Sequence, residues 1–137
     1  MERRRAGPGT RAVTRRDSLD LRDYLEHIQQ AIKRIQRYLR EIDYVGFLAN
    51  EEKQDAVLRN LEVIGEAAGN VRRHFPEFSE HYPDFPLRQA YETRNVLAHG
   101  YFKVDLAVVW KTVERDLPPL EAQIREVLDA LARPPQA

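Results

Sequence analysis

The segment LDLRDYLEHIQQAIKRIQRYLREI, residues 19–42, carries an apolar repeat that an α-helix places on one side. At about 100° per residue, its seven branched apolar side chains fall within a wedge of about 100°, the width of a core-facing stripe. The stripe consists of Leu21, Leu25, Ile28, Ile32, Ile35, Leu39 and Ile42. We therefore predict a long amphipathic helix, with Asp17 and Ser18 as N-terminal caps. Tyr24, Ala31 and Tyr38 widen the stripe, so this helix can also line a subunit interface.

The opposite side of this helix is basic. It carries Lys33, Arg37 and Arg40, with Arg34 nearby. The simplest explanation of such a stripe is a solvated face. The alternative is a track of cations that contacts RNA phosphates.

A second long helix is predicted from about Asn50 to His74. Asn60 falls between its apolar positions and is expected to be buried with a hydrogen-bond partner or, alternatively, to serve the functional site. Gly65 is expected to let another helix approach closely. In the connection before this helix, Gly46 breaks the helical pattern, and three apolar side chains are expected to pack back on the core, namely Val45, Phe47 and Leu48.

Prolines shape the second half of the chain. Residues 75–85 are predicted to be a loop, and Pro86 opens a third long helix that ends near residue 98. Asp105 caps a last helical region that runs to Leu131, and Pro118 and Pro119 interrupt it. Because the apolar phase continues through these prolines, we expect a kinked helix or two nearly coaxial helices.

These elements predict an all-α fold, an antiparallel bundle of four long helices without strands. The bundle domain is expected to span residues 17–132, between a disordered basic tail of residues 1–16 and a frayed end of residues 133–137. The tail has a net charge of +5 and the remainder −5, so the folded part is mildly acidic. The tail is interpreted as a solvated leader or a start-site artefact, or else as a nonspecific RNA contact.

Composition excludes several classes of protein. The 137 residues include no cysteine, which rules out disulfides, thiol catalysis and cysteine-ligated metals. His74 and His81 flank the proline-rich loop, but no matching carboxylate spacing accompanies them, so neither a metal site nor a cofactor is predicted. The sequence shows no membrane span and no secretory signal, and a cytoplasmic location is expected.

The candidate site is YETRNVLAHGYFKVD, residues 91–105, where the third helix should end. Arg94 precedes His99 by five positions, and Gly100 can close the helix before Tyr101. Five residues rotate a side chain by roughly 140° on an ideal helix. Arg94 and His99 therefore meet one ligand only if the helix frays or a second copy of the chain supplies one of them.

This residue pair is chemically sufficient for RNA cleavage. An imidazole exchanges protons near neutral pH, and a guanidinium holds a phosphate and offsets the charge that it gains when it becomes pentacoordinate. RNA supplies its own nucleophile, the 2′-hydroxyl. The structural alternative is a capping His99 and a salt-bridged Arg94.

The pattern from Arg94 and Asn95 through His99 to Tyr101 resembles that of the HEPN superfamily, specifically the HepT-like toxins paired with minimal nucleotidyltransferases. The segments AVLRNLEVIGEAA (residues 56–68), YFKVDLAVVW (101–110) and ERDLPPL (114–120) are similar to other blocks of that family. The likeness covers roughly residues 19–131. Leu87 departs from it, because the family commonly has tryptophan there.

The resemblance implies a HEPN-like homodimer that acts as a metal-independent ribonuclease. Arg94 would stabilise the phosphate, His99 would transfer the proton and Asn95 would orient the pair. Tyr101 would receive AMP from a cognate nucleotidyltransferase antitoxin, which silences the toxin; its structural alternative is an ordinary packing tyrosine. Two other interpretations of the chain remain, a noncatalytic nucleotide-binding or scaffolding partner of a nucleotidyltransferase and a purely structural helical dimer.

Overall fold

The computed structural model describes residues 15–86, 89–90 and 105–132, with side chains from Asp20 onward. These residues form helices and turns, and no strand is found among them. In chain order the helical segments are α1 (Arg15–Tyr38), α2 (Tyr44–Leu48), α3 (Glu51–His74), α4 (Phe78–His81), α5 (Leu106–Lys111), a π-helical segment (Thr112–Asp116) and α6 (Leu117–Ala132). The all-α prediction is confirmed for this part of the chain.

Helix α1 buries the predicted stripe. Leu21, Leu25, Ile28, Ile32 and Ile35 are each at most 8% exposed, and they pack with the apolar sides of α3 and α6. The helix starts at Arg15, earlier than predicted, so Asp17 and Ser18 lie within it and the prediction that they cap its N-terminus is wrong. It ends at Tyr38, and Glu41 adopts a positive φ of 64° that turns the chain. The last two stripe residues, Leu39 and Ile42, therefore lie beyond α1 and are only partly buried.

Helices α1 and α3 run antiparallel. Tyr24 near the start of α1 stacks on His74 at the end of α3, and Lys53 near the start of α3 lies over the ring of Tyr38 at the end of α1. The predicted bounds of α3 are confirmed. The Asn50 side chain accepts a hydrogen bond from the Lys53 backbone N–H at 3.0 Å, so it caps the helix as an N-cap asparagine should.

The connection between α1 and α3 differs from the prediction. Gly46 lies within the short helix α2, and its N–H donates to Asp43 Oδ1 at 2.9 Å. Phe47 is fully buried as predicted, but Val45 and Leu48 are 72% and 45% exposed. The expectation that these two pack on the core is wrong, because one turn of helix buries one side and presents the other to solvent.

The last helical region is continuous from Leu106 to Ala132, and the two prolines do not divide it into separate helices. Leu117 donates its backbone N–H to the Thr112 carbonyl, five residues back, which defines the π-helical segment before the prolines. Pro118 and Pro119 lie in the first turn of α6, where a missing N–H is tolerated. Since prolines cannot donate to the carbonyls four residues earlier, the regular α pattern is interrupted just before them. The irregularity was predicted at the prolines and is found one turn earlier.

The proline-rich loop contains one turn of helix, α4, which the sequence did not predict. Phe78 in this turn is buried against Tyr82 and Phe85. The Gln123 side chain of α6 donates to the Asp84 carbonyl at 3.2 Å, so the loop is fixed to the last helix. Of the predicted third long helix, Pro86 is described and is not helical, and Gln89 and Ala90 are described and are helical; the rest lies outside the described residues. Within the described ranges, no helix combines the length and apolar character that crossing a bilayer requires.

Candidate functional site

The four predicted site residues, Arg94, Asn95, His99 and Tyr101, lie outside the residues that the structure describes. The chain is described on both sides of them. On the N-terminal side, Ala90 donates its N–H to the Pro86 carbonyl, four residues back, at 3.1 Å. On the C-terminal side, Asp105 Oδ1 accepts from the Ala107 N–H at 2.9 Å. The predicted cap of the last helical region is therefore confirmed.

The segment after the site is held by aromatic packing. Trp110 in α5 contacts the ring of Phe47 at 5.4 Å and the ring of Tyr44 at 5.8 Å between centroids. Because Phe47 is fully buried, this contact fixes α5 to α2 and to the core. The helix that follows the site segment is thus anchored to the core.

A small cavity lies beside the N-terminal end of the site segment. It has a volume of about 70 Å³, and its walls are mostly apolar. Ligand pockets usually measure about 300–1,000 Å³, so this cavity is too small for a nucleotide. Its lining comprises Leu61, Ile64, Pro86, Gln89, Ala90, Thr112, Asp116, Leu117 and Leu120.

Metal-ligating side chains are not clustered in the part of the chain that is described. No group of three or more histidine, aspartate or glutamate residues there is arranged to hold a metal ion. His81 and Asp84 border a shallow depression of about 550 Å³ that Glu126 also lines. They do not form such a group.

Lys33 and Arg37 lie on the solvent side of α1, as predicted, whereas Arg40 follows the end of the helix. Lys33, Arg37 and Arg40 are exposed to solvent. Arg34 is half-buried, and its Nη1 donates to Asn60 Oδ1 at 3.5 Å. Asn60 itself is only 6% exposed, so the prediction of a buried polar residue with a partner is confirmed.

Two residues of this basic surface are not predicted from the sequence. The apolar repeat places Tyr38 at the flank of the stripe, and no sequence pattern points to Lys53. In the structure Arg37 Cζ lies 5.6 Å and Lys53 Nζ lies 5.8 Å from the centroid of the Tyr38 ring. The eight residues KRIQRYLR, numbers 33–40, contain four cations and no carboxylate, which is the signal that could have drawn attention to Tyr38.

Comparison with known proteins identifies the family. Residues 28–127 match the family model described as "Ribonuclease HepT-like". A protein of Thermococcus cleftensis named "Probable ribonuclease HepT" is 41% identical over 106 residues, which cover 77% of this chain and 94% of the relative. A protein of Methanocaldococcus jannaschii named "Putative RNase" is 32% identical over 108 residues, 79% of this chain and 96% of the relative.

A second relative from Methanocaldococcus jannaschii is longer. It is named "Gamma-glutamylcyclotransferase and putative RNase", and it is 36% identical over 112 residues, 82% of this chain but 49% of the relative. No solved structure matches the chain. The family model spans most of the helical bundle, and the first relative aligns over nearly its whole length. The chain therefore belongs to the HepT-like ribonuclease family.

Proposed function

We propose that the chain is a metal-independent endoribonuclease that acts as the toxin of a toxin–antitoxin pair and cleaves tRNA or mRNA. The observation that supports this proposal is the pattern formed by Arg94, His99 and Tyr101, which lies within the residues that match the HepT-like family. The names of the relatives, "Probable ribonuclease HepT" and "Putative RNase", point to the same chemistry.

The proposed reaction uses a nucleophile that RNA itself carries. The 2′-hydroxyl attacks the adjacent phosphorus while His99 accepts its proton. Arg94 offsets the additional negative charge of the pentacoordinate phosphorus, and Asn95 orients the pair. The bond from phosphorus to the 5′-oxygen breaks, and that oxygen takes a proton from an imidazolium. The products are a 2′,3′-cyclic phosphate and a 5′-hydroxyl end.

The active form is proposed to be a homodimer. Arg94 and His99 are separated by roughly 140° around an ideal helix, so two copies of the chain can supply them to one phosphate more easily than one copy can. A dimer also provides two imidazoles, one to accept the first proton and one to donate the second.

The toxin is proposed to be silenced by a cognate nucleotidyltransferase antitoxin. The Tyr101 hydroxyl attacks the α-phosphorus of ATP, and pyrophosphate leaves, which attaches AMP to the tyrosine. The added phosphate carries negative charge and bulk close to Arg94, where the RNA phosphate must bind. Modification and RNA binding therefore compete for the same cation.

Expression in a bacterial host tests this function. The wild-type chain is expected to arrest growth and to degrade cellular RNA, and His99→Ala is expected to do neither. Arg73→Ala, an exposed arginine at the far end of α3, is the control and should arrest growth like the wild type. If the wild type and His99→Ala are equally harmless and leave RNA intact, the enzyme proposal fails and the noncatalytic partner becomes the better interpretation.

A further inference from the structure

The end of α1 and the start of α3 carry five cations, and two of them approach one tyrosine ring. Arg37 lies 5.6 Å and Lys53 lies 5.8 Å from the centroid of Tyr38, so cations from two different helices approach the same ring. The remaining three cations share the last turns of α1 and the residues just after it. We call this set the Tyr38 cluster, and it comprises Lys33, Arg34, Arg37, Tyr38, Arg40 and Lys53.

The cations of the Tyr38 cluster are not neutralised by the described part of the protein. None of the five forms an ion pair with a carboxylate among the described residues. Arg22, two turns from the start of the same helix, lies 3.9 Å from Glu26 and shows that α1 can form such pairs. The chain holds as many acidic as basic residues, 22 of each, so carboxylates are not scarce. A concentration of unpaired positive charge indicates an anionic partner.

One cation of the cluster contacts a buried amide. Asn60 Nδ2 donates to the Ala56 carbonyl at 2.8 Å, and this bond fixes the orientation of the amide group. The Asn60 oxygen consequently faces Arg34, whose Nη1 lies 3.5 Å from it. A guanidinium with a fixed position loses less side-chain entropy when it binds a phosphate.

The Tyr38 ring differs from its counterpart at the other end of α1. Tyr24 stacks nearly parallel on His74 and contacts the edge of Phe75, so aromatic side chains of the protein pack around it. Within the described ranges, no aromatic ring contacts Tyr38, and the side chains that approach its ring are Arg37 and Lys53. A half-buried ring among cations is the arrangement with which proteins bind single-stranded nucleic acid, because the ring stacks on a base while the cations contact the backbone.

We propose that the Tyr38 cluster binds a single-stranded stretch of the RNA substrate, with one base stacked on Tyr38 and the neighbouring phosphates on the five cations. This inference rests on the proposed function, because it assigns a second RNA contact outside the predicted catalytic residues. Single-stranded RNA fits better than duplex RNA, because bases inside a duplex are already stacked on one another. The carboxylates of an acidic protein would pair with the cations but would not stack on the ring.

The first test measures the contribution of the ring. The full chain with His99→Ala, which prevents cleavage, is titrated against a fluorescein-labelled uridylate dodecamer. Tyr38→Leu in this background should weaken binding by about 5-fold or more, because one base loses its stacking partner. Tyr38→Phe keeps the ring and should bind within about 2-fold of its parent. Tyr24→Leu is the matched control on the same helix and should leave the affinity unchanged.

The second test measures the contribution of the cations. The logarithm of the binding constant is plotted against the logarithm of the salt concentration, and each phosphate contact adds about 0.7 to the slope for a single strand. Lys53→Ala and Arg37→Ala should each reduce the slope by about that amount. Arg73→Ala, at the other end of α3, should leave it unchanged.

Three outcomes would overturn the inference. The first is that the parent chain does not bind the dodecamer, and the second is that the Tyr38 and cation variants bind it as well as the parent does. The third is that oligoglutamate of the same charge displaces the dodecamer as efficiently as unlabelled RNA, since the surface would then suit an acidic protein. Cleavage by the chain with an intact His99 is measured separately. A failure of the Tyr38 cluster is thus distinguishable from a failure of the proposed function.

Discussion

The two sides of α1 have residues whose presence requires different physical explanations. On the buried side, Leu25, Ile28, Ile32 and Ile35 are at most 1% exposed, so their removal from water accounts for their presence. On the other side, Lys33, Arg34 and Arg37 lie within four residues of one another and make no ion pair with a described carboxylate. Like charges at such spacing oppose folding. The first side is explained by stability, whereas for the second we propose a ligand.

The largest expected effect of a substitution is on the buried side. Ile35→Ala should lower the free energy of unfolding by about 2–5 kcal/mol, because it removes methylene groups and leaves a cavity in a fully buried position. Urea denaturation measures this change. The folded fraction of the variant should bind RNA with unchanged affinity. A loss below about 1 kcal/mol would show that this side of α1 is not close-packed.

An intermediate effect is expected at the junction of the two sides, where Asn60 contacts Arg34. Asn60→Ala should lower the free energy of unfolding by about 1–3 kcal/mol, since a buried hydrogen-bonding group is lost. It should also weaken RNA binding, because Arg34 is no longer held. Asn70, which accepts a hydrogen bond from Arg73 on the same helix, provides the matched control. Asn70→Ala should change stability by less than about 0.5 kcal/mol and leave RNA binding unaltered.

The smallest expected effect is on the basic side, where a substitution should raise the free energy of unfolding instead of lowering it. Lys33 and Arg37 are like charges four residues apart on α1, so Lys33→Gln should raise the free energy of unfolding by about 0.2–0.5 kcal/mol at low salt. The gain should disappear at high salt. Arg22→Gln, which breaks a favourable pair with Glu26, is the control and should lower stability by a similar amount. A loss of stability in Lys33→Gln would mean that this lysine is retained for folding.

The sequence predicted those parts of the fold that are determined by residues close to one another in the chain. The bounds of α3 follow from the side chain of Asn50, which caps the helix, and from the residues after His74, where a proline stands at position 76. Val45 and Leu48 were placed wrongly, because a helix of five residues has too short a repeat to reveal which side is buried. The π-helical segment was not predicted. The sequence shows that two prolines lack the backbone N–H groups of an α-helix, but it does not show which hydrogen-bond pattern the backbone adopts instead.

The candidate site could be predicted only as a motif. Arg94, Asn95, His99 and Tyr101 occupy one short stretch, and their assignment stays a prediction. The Tyr38 cluster could not be assembled from the sequence, since Tyr38 and Lys53 belong to different helices and their contact depends on the register of α1 against α3. The run of cations in residues 33–40 was visible, but Tyr38 was not recognised as part of the basic surface.

The rate of RNA cleavage by the purified chain tests the proposed chemistry most directly. The full chain and its His99→Ala and Arg73→Ala variants are incubated with end-labelled RNA in the presence of a metal chelator. We predict that the wild type and Arg73→Ala cleave at the same rate and leave cyclic phosphate ends, and that His99→Ala is slower by about 10²–10⁴-fold. Equal rates for the wild type and His99→Ala, or cleavage that stops when the chelator is added, would contradict the assignment.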